Sequence, residues 1–245
     1  VAEAVERDGQ QVLSFGGFYL SVFPSRGGRT LEPDNDDQML QLGRFLGMVH
    51  QVGAARPFLH RPTINHQTFL LDSQQSLLQS GLIPPSLEKD YQAMMQQLCD
   101  KVGPLYKPEK IRRVHGDCHI GNLLWHDDRP LLLDFDDSRN GPAVQDLWLL
   151  LNGDRVEQTY QLSLLLEEYE QYCDFDHKEL RLIEPLRAMR ILSYMAWIAK
   201  RWSDPAFPKN FPWFSTDQYW QQQLRALDEQ LKFCDQSPLS LMPQW

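Results

Sequence analysis

Apolar positions change their spacing along the chain, and the changes mark out its elements. Gln11–Phe15 and Phe18–Phe23 read as two β-strands, and Gly16-Gly17 between them is a hairpin signal. Pro24-Ser25-Arg26-Gly27-Gly28 breaks the second strand and forms a connector. From there the period becomes helical. Met39, Leu42, Phe45, Leu46 and Val49 recur at three- and four-residue steps after a capping Asn35 or Asp36, predicting a helix to about His50 with Gly53 as its stop. His50 itself reads as a helix-end residue near the C-terminal dipole, not a catalytic one. Pro57 and Pro62 place 54–65 in a loop. A short helix is expected over Thr68–Gln79, ended by Gly81. Another should start at Pro84-Pro85-Ser86 and close at Gly103-Pro104, with Leu87, Tyr91, Met94, Met95 and Leu98 as its apolar stripe.

Further on, the pattern predicts a helix over Pro142–Leu151 and one from a capping Asp154 to about Cys173. A third, capped by Asp176, should end near Trp202. Ser203–Phe214 interleaves three prolines with aromatics and is expected to be irregular, before a last helix from Thr216 to about Cys234. Between the helical stretches a two-strand insertion carries a polar cluster. Val114 leads into His115-Gly116-Asp117-Cys118-His119-Ile120-Gly121-Asn122, then Leu123-Leu124-Trp125, and Leu131-Leu132-Leu133 ends in Asp134. The fold class is α+β: a short β start on a mostly helical domain.

Composition narrows the chemistry. A chain of 245 residues buries a sizeable core. A net charge of −9 argues against a nucleic acid or an anionic membrane as partner. Cys99, Cys118, Cys173 and Cys234 form no C-x-x-C pair, which favours free thiols over a disulfide framework or zinc site. No apolar run approaches the roughly 20 residues that span a bilayer, and no signal peptide is visible. The chain begins at Val1, in what reads as the middle of a sheet, so upstream sequence is expected.

The polar cluster has the residue types for phosphoryl transfer. Asp134 at a strand end is a hard oxygen ligand suited to magnesium, and Asn122 adds a neutral carbonyl. Asp117, five residues before Asn122, is placed to take or orient the proton of an attacking hydroxyl. His119 is a candidate contact for the transferred phosphoryl group. His115 reads as structural and Cys118 as a small buried thiol. Asp136 and Asp137 fit a solvated acidic turn at least as well as a metal site. A rival reading makes His115, Asp117, His119 and Asp134 the ligands of a metal-dependent hydrolase.

His115-Gly116-Asp117-x-His119-x-x-Asn122 followed by Leu133-Asp134 resembles the catalytic loop and metal motif of the aminoglycoside phosphotransferase and choline kinase superfamily, with the D-x-x-x-x-N spacing of kinases. The run on to Ala143-Val144-Gln145-Asp146-Leu147-Trp148, with Phe18–Gly28 and Leu42–His50, resembles the bacterial stress response kinase A family. That resemblance implies a protein kinase-like fold: residues 1–23 a β remnant of an N-terminal lobe, 24–30 a hinge, and 31–245 a helical C-terminal lobe. It implies Asp117 as catalytic base, Asn122 and Asp134 on magnesium, Phe23-Pro24-Ser25 at the adenine, Leu124 and Leu133 under the nucleotide, and Asp146 bracing the loop. ATP and magnesium are the implied cofactors. A cytoplasmic protein Ser/Thr substrate is the implied partner, with a small hydroxyl-bearing molecule as the alternative and a non-catalytic nucleotide-binding module as a further one. The family's small-lobe lysine and glycine-rich phosphate loop have no counterpart here, since no lysine precedes Lys89. Such a piece alone is expected to be weak or inactive.

Overall fold

The computed structural model describes residues 3–241. β1 (Leu13–Phe15) and β2 (Phe18–Leu20) form the expected hairpin, shorter than the apolar runs suggest. Gly16 and Gly17 both take positive φ, as a two-residue hairpin turn requires. Phe15, Phe18 and Tyr19 are each more than two-thirds exposed. The hairpin therefore keeps these aromatic side chains off the helical part.

The helical body starts at α1 (Asp36–Ala54), where the Asn35 side chain accepts a hydrogen bond from the Gln38 amide and Asp36 and Asp37 complement the helix dipole. α1 packs along α5 (Arg155–Tyr169). Gly43 permits this close approach, because a Cβ there would collide with the Leu165 carbonyl. Asp154 caps α5 in a complete capping box with Glu157. Between them come a π-helical turn at Gln67–Leu71, α2 (Asp72–Gln79) and α3 (Glu88–Leu105). α3 runs one residue past Pro104. A proline this close to a C-terminus costs few helical bonds. α6 (Ile183–Lys200) follows a 3₁₀ stretch capped by Asp176 and lies at the centre, burying Leu186, Met189, Leu192 and Met195. α8 (Asp217–Phe233) starts at Thr216 and packs against α3, where the Tyr91 hydroxyl donates to the Trp220 carbonyl at 2.6 Å. The four cysteines are free thiols.

Three expectations need correction. The polar cluster sits not on two strands but on four, forming two antiparallel pairs: β3 (Arg112–Val114) with β6 (Arg139–Gly141), and β4 (Leu123–His126) with β5 (Arg129–Leu132). The outer pair is rich in arginine and glycine, so no apolar alternation announces it. Pro142–Leu151 holds only a one-turn α4 (Gln145–Trp148). There the chain is held by bonds to other elements: the Val144 amide donates to Glu179 and the Gln145 side chain to the Gly116 carbonyl. Ser203–Phe214 is not irregular. α7 (Ala206–Asn210) follows Pro205, and a 3₁₀ turn over Pro212–Ser215 starts on Pro212. Proline is preorganised for a helix start, so prolines that read as breakers here act as starters.

Candidate active site

The strand order makes the site. β4 and β5 form a hairpin nested between β3 and β6, turned by Asp127-Asp128 with positive φ at both. The two connections between outer and inner pairs, 115–122 and 133–138, are thereby set side by side. The first carries Asp117, His119 and Asn122, the second Asp134. The inner register pairs Leu123 with Leu132, and the Leu133 amide donates to the Asn122 carbonyl at 2.9 Å. Asn122 and Asp134 therefore both stand at the open end of the hairpin, one on each side of the last bonded pair. By the same register Asn122, Leu124, Leu131 and Leu133 share one face of the hairpin, and Leu123 and Leu132 share the opposite, buried face.

Asp117 is surrounded by donors. The Asn122 side-chain nitrogen donates to the Asp117 backbone carbonyl at 3.0 Å and reaches its Oδ2 at 3.4 Å. His119 Nε2 stands 3.4 Å from the same Oδ2, while its Nδ1 accepts from the Gly121 amide at 3.0 Å. That bond assigns the ring proton to Nε2, facing Asp117. Asn122 commits its nitrogen to Asp117, which leaves its side-chain oxygen for a ligand. Asp134 is exposed and takes a left-handed backbone, φ 58°, which asparagine and aspartate tolerate better than other side chains. Asn122 and Asp134 offer two oxygens, a donor set that suits magnesium completed by water and phosphate. Among the described residues, no three histidine, cysteine or acidic side chains cluster as a ready metal cage.

His115 turns away from this edge. It is buried, and its Nε2 donates to the Leu133 carbonyl at 2.8 Å, tying the first loop to the second. A ring so engaged is no metal ligand beside His119, and the hydrolase reading loses its first member. Cys118 is fully buried, and burial pushes its thiol well above the ordinary range. Gly116 has φ 87°, and a Cβ there would strike the Asp137 carbonyl, so the loop needs glycine at this point.

Beneath the loop lies Asp146, fully buried at the start of α4. Its Oδ2 accepts from the His115 amide at 2.6 Å and its Oδ1 from the Gly116 amide at 2.8 Å. His50 Nε2 donates to Oδ2 at 2.9 Å, and His50 Nδ1 is 2.9 Å from the Tyr169 hydroxyl. Arg112 Nη1 donates to that hydroxyl at 3.2 Å. The chain of donors has one consistent direction: Arg112 to Tyr169, Tyr169 to His50, His50 to Asp146. His50 is thus no mere helix-end residue. It lies inside α1 with its ring fully buried and holds the carboxylate that holds the loop.

Phe23 and Ser25 are exposed, and the connector meets the hairpin further along. Arg29 exchanges backbone hydrogen bonds with Trp125 at 2.7 and 2.9 Å, and Gly28 lies against Leu124. Two arginines escaped the sequence reading. Arg61 Nη1 donates to the carbonyls of Phe135, Asp136 and Ser138, fastening the loop after Asp134. Arg190, from α6, places Nη1 2.6 Å from Asp117 Oδ1. Neither belongs to a motif, and each reaches the site from a distant part of the chain. A cavity of about 960 Å³ lies apart, between α1 and the hairpin tip, lined by Phe45, Met48, His126 and Leu131 but by none of Asp117, Asn122 or Asp134.

Solved structures with this architecture include an amicoumacin kinase in complex with AMP-PNP and Ca²⁺, with TM-score 0.66 over 98% of this chain and 73% of that one at 21% identity. A microcompartment-associated aminopropanol kinase matches with TM-score 0.61 over 96% and 74% at 17% identity. The α+β fold is therefore kinase-like. Residues 1–183 match the family model described as the phosphotransferase enzyme family, and the chain belongs to that family. Among its relatives are stress response kinase A of Escherichia coli, 47% identical over all of this chain and 75% of the relative, and serine/threonine protein kinase RdoA of Salmonella typhimurium, 46% identical over the same shares. The protein is a kinase-type phosphotransferase.

Proposed function

We propose that this protein transfers the γ-phosphoryl group of ATP to the hydroxyl of a Ser or Thr side chain on a protein substrate, with magnesium. The observation that carries the reading is the bond between Asn122 and Asp117 at the hairpin mouth, where the Leu133 amide, one residue before Asp134, donates to the Asn122 carbonyl. Asp117 accepts the hydroxyl proton as the acceptor oxygen bonds to the γ-phosphorus. The bond from that phosphorus to the β–γ bridging oxygen breaks, and ADP leaves. His119 Nε2–H, 3.4 Å from Asp117 Oδ2, would meet the charge that develops on the transferred group. Asn122 and Asp134 would hold magnesium, which neutralises the phosphates when bound. Leu124 and Leu133 would underlie the nucleotide from their shared hairpin face, with the 23–25 backbone at the adenine. In this reading residues 1–23 belong to an N-terminal lobe, 24–30 form the hinge and 31–245 the C-terminal lobe. The protein acceptor and a stress-related setting rest on the names of the relatives, and a cytoplasmic one on the family resemblance of the sequence alone. Among the described residues no helix is long and apolar enough to cross a membrane.

Asp117→Ala in the full-length protein tests this directly. Phosphate transfer is expected to fall by at least about a hundredfold while ATP binding persists. Unchanged turnover would remove Asp117 from its role. Stoichiometric zinc with turnover indifferent to magnesium would favour the hydrolase instead.

A further inference from the structure

α6 carries a stripe that the reaction above does not use. Arg187, Arg190, Tyr194 and Trp197 follow one another at steps of three and four residues, which puts them on one helical face, and Arg201 continues the step at the residue that ends the helix. Each arginine on it occupies a group that would otherwise attract a cation. Arg190 Nη1 is 2.6 Å from Asp117 Oδ1. The Arg201 guanidinium lies 4.9 Å from the centre of the Trp197 ring. The Arg187 guanidinium lies 4.9 Å from the Trp148 ring. Aromatic faces and carboxylates are the means by which proteins hold ammonium groups. Here the chain's own guanidinium groups sit on Asp117, Trp148 and Trp197.

The contact with Asp117 is close but loose in direction. At 2.6 Å Arg190 forms an ion pair, yet its N–H is not aligned for a hydrogen bond, and Asp117 Oδ1 is left without one. A hydroxyl brought to the Asp117 carboxylate therefore comes up beside the Arg190 guanidinium. Arg190 rises from the middle of α6, and the ion pair with Asp117 holds its charge beside the acceptor.

We propose that Arg190 is an acceptor-specificity residue that excludes hydroxyl compounds bearing an adjacent ammonium from Asp117. The class admitted is a hydroxyl on an uncharged or anionic carrier, of which the Ser or Thr side chain is the protein form. This rests on the kinase reading above and adds the choice of acceptor to it. The physical cause is repulsion: an ammonium two or three bonds from the reacting oxygen would lie within a few ångströms of a guanidinium in a partly desolvated cleft, where like charges interact far more strongly than in water.

The test uses full-length wild type, Arg190→Gln, Arg190→Glu and Arg190→Lys, with labelled ATP. The acceptors are dephosphorylated casein, 1-amino-2-propanol and choline. Wild type should phosphorylate casein, with kcat/KM for either amino alcohol at least a hundredfold lower. Arg190→Gln should raise the amino-alcohol to casein ratio tenfold or more, mainly through KM, and Arg190→Glu should raise it further. Arg190→Lys should preserve the exclusion, which separates charge from a general disturbance of the cleft. Wild-type transfer to casein with a ratio that none of the substitutions moves overturns the inference alone. Efficient wild-type turnover of the amino alcohols overturns it as well. Absence of transfer to any acceptor by wild type that binds ATP overturns the kinase reading and the inference together.

Discussion

The brace beneath the catalytic loop and the working edge above it are built on opposite terms. Below, Asp146 and His50 are fully buried, and each polar atom of the pair has a partner at 2.6–2.9 Å. Above, Asp117 is one-fifth exposed, its Oδ2 contacts are 3.4 Å long and its Oδ1 faces an unaligned guanidinium. A carboxylate occupies the centre of both. In the first, donors satisfy it completely, and it can only hold. In the second, donors surround it without closing on it, which leaves capacity for a proton. The difference shows why one aspartate of this family member is read as support and the other as chemistry, although one bonds to the eight-residue loop that contains the other.

Removing the brace should have the larger effect on stability. Asp146→Ala leaves the His115 and Gly116 amides and His50 without their acceptor in a site closed to water. The expected loss is about 4 kcal/mol, well above the effect of Asp117→Ala at the partly exposed edge. Chemical denaturation of the two variants side by side checks the comparison. Equal losses would show that the loop does not depend on what lies under it.

Tyr169→Phe is the gentler cut in the same network. The ring stays, so its edge contact with His50 at 5.5 Å is kept, and only the hydroxyl between Arg112 and His50 goes. A loss of about 1.5 kcal/mol is expected. Turnover should fall less than in Asp117→Ala, because His50 keeps its bond to Asp146. A kcat loss as large as that of Asp117→Ala, at full folding, would mean that the brace takes part in the chemistry.

The sequence exposes the working edge better than the brace. Asp117, Asn122 and Asp134 lie within 18 residues and two short apolar runs, so spacing alone relates them. The helix starts at Asn35, Asp154 and Thr216 are legible too, because a cap is a local interaction. The brace joins His50, Arg112, Asp146 and Tyr169 from four separate elements, and no short pattern relates their positions. Family resemblance marks Asp146, whereas His50, seen only along its own helix, reads as a terminus residue. β3 and β6 stayed hidden for a related reason. Arg112 is buried because Tyr169 and Cys173 accept from it, and an arginine in a strand does not signal burial by its type.

Glu179 sharpens the comparison from the other side, as a buried carboxylate that is held incompletely. Its Oε2 accepts from the Val144 amide at 2.9 Å, while its Oε1 has no partner among the described residues. Burial raises its pKa above the ordinary 4.5, the Val144 amide and Arg112 opposing that rise only in part. The folded state then holds the proton more tightly than the unfolded chain does. Between pH 4.5 and the raised folded value, stability falls as pH rises, and the loss stays at higher pH. Glu179→Gln keeps an oxygen for Val144 and removes the charge. Near pH 4 it should match wild type, and near neutrality it should be more stable by about 1 kcal/mol, a rise of a few degrees in Tm. Thermal melts of both proteins across that pH range decide it. A variant less stable than wild type at neutral pH would show that Glu179, like Asp146, is fully satisfied as an anion.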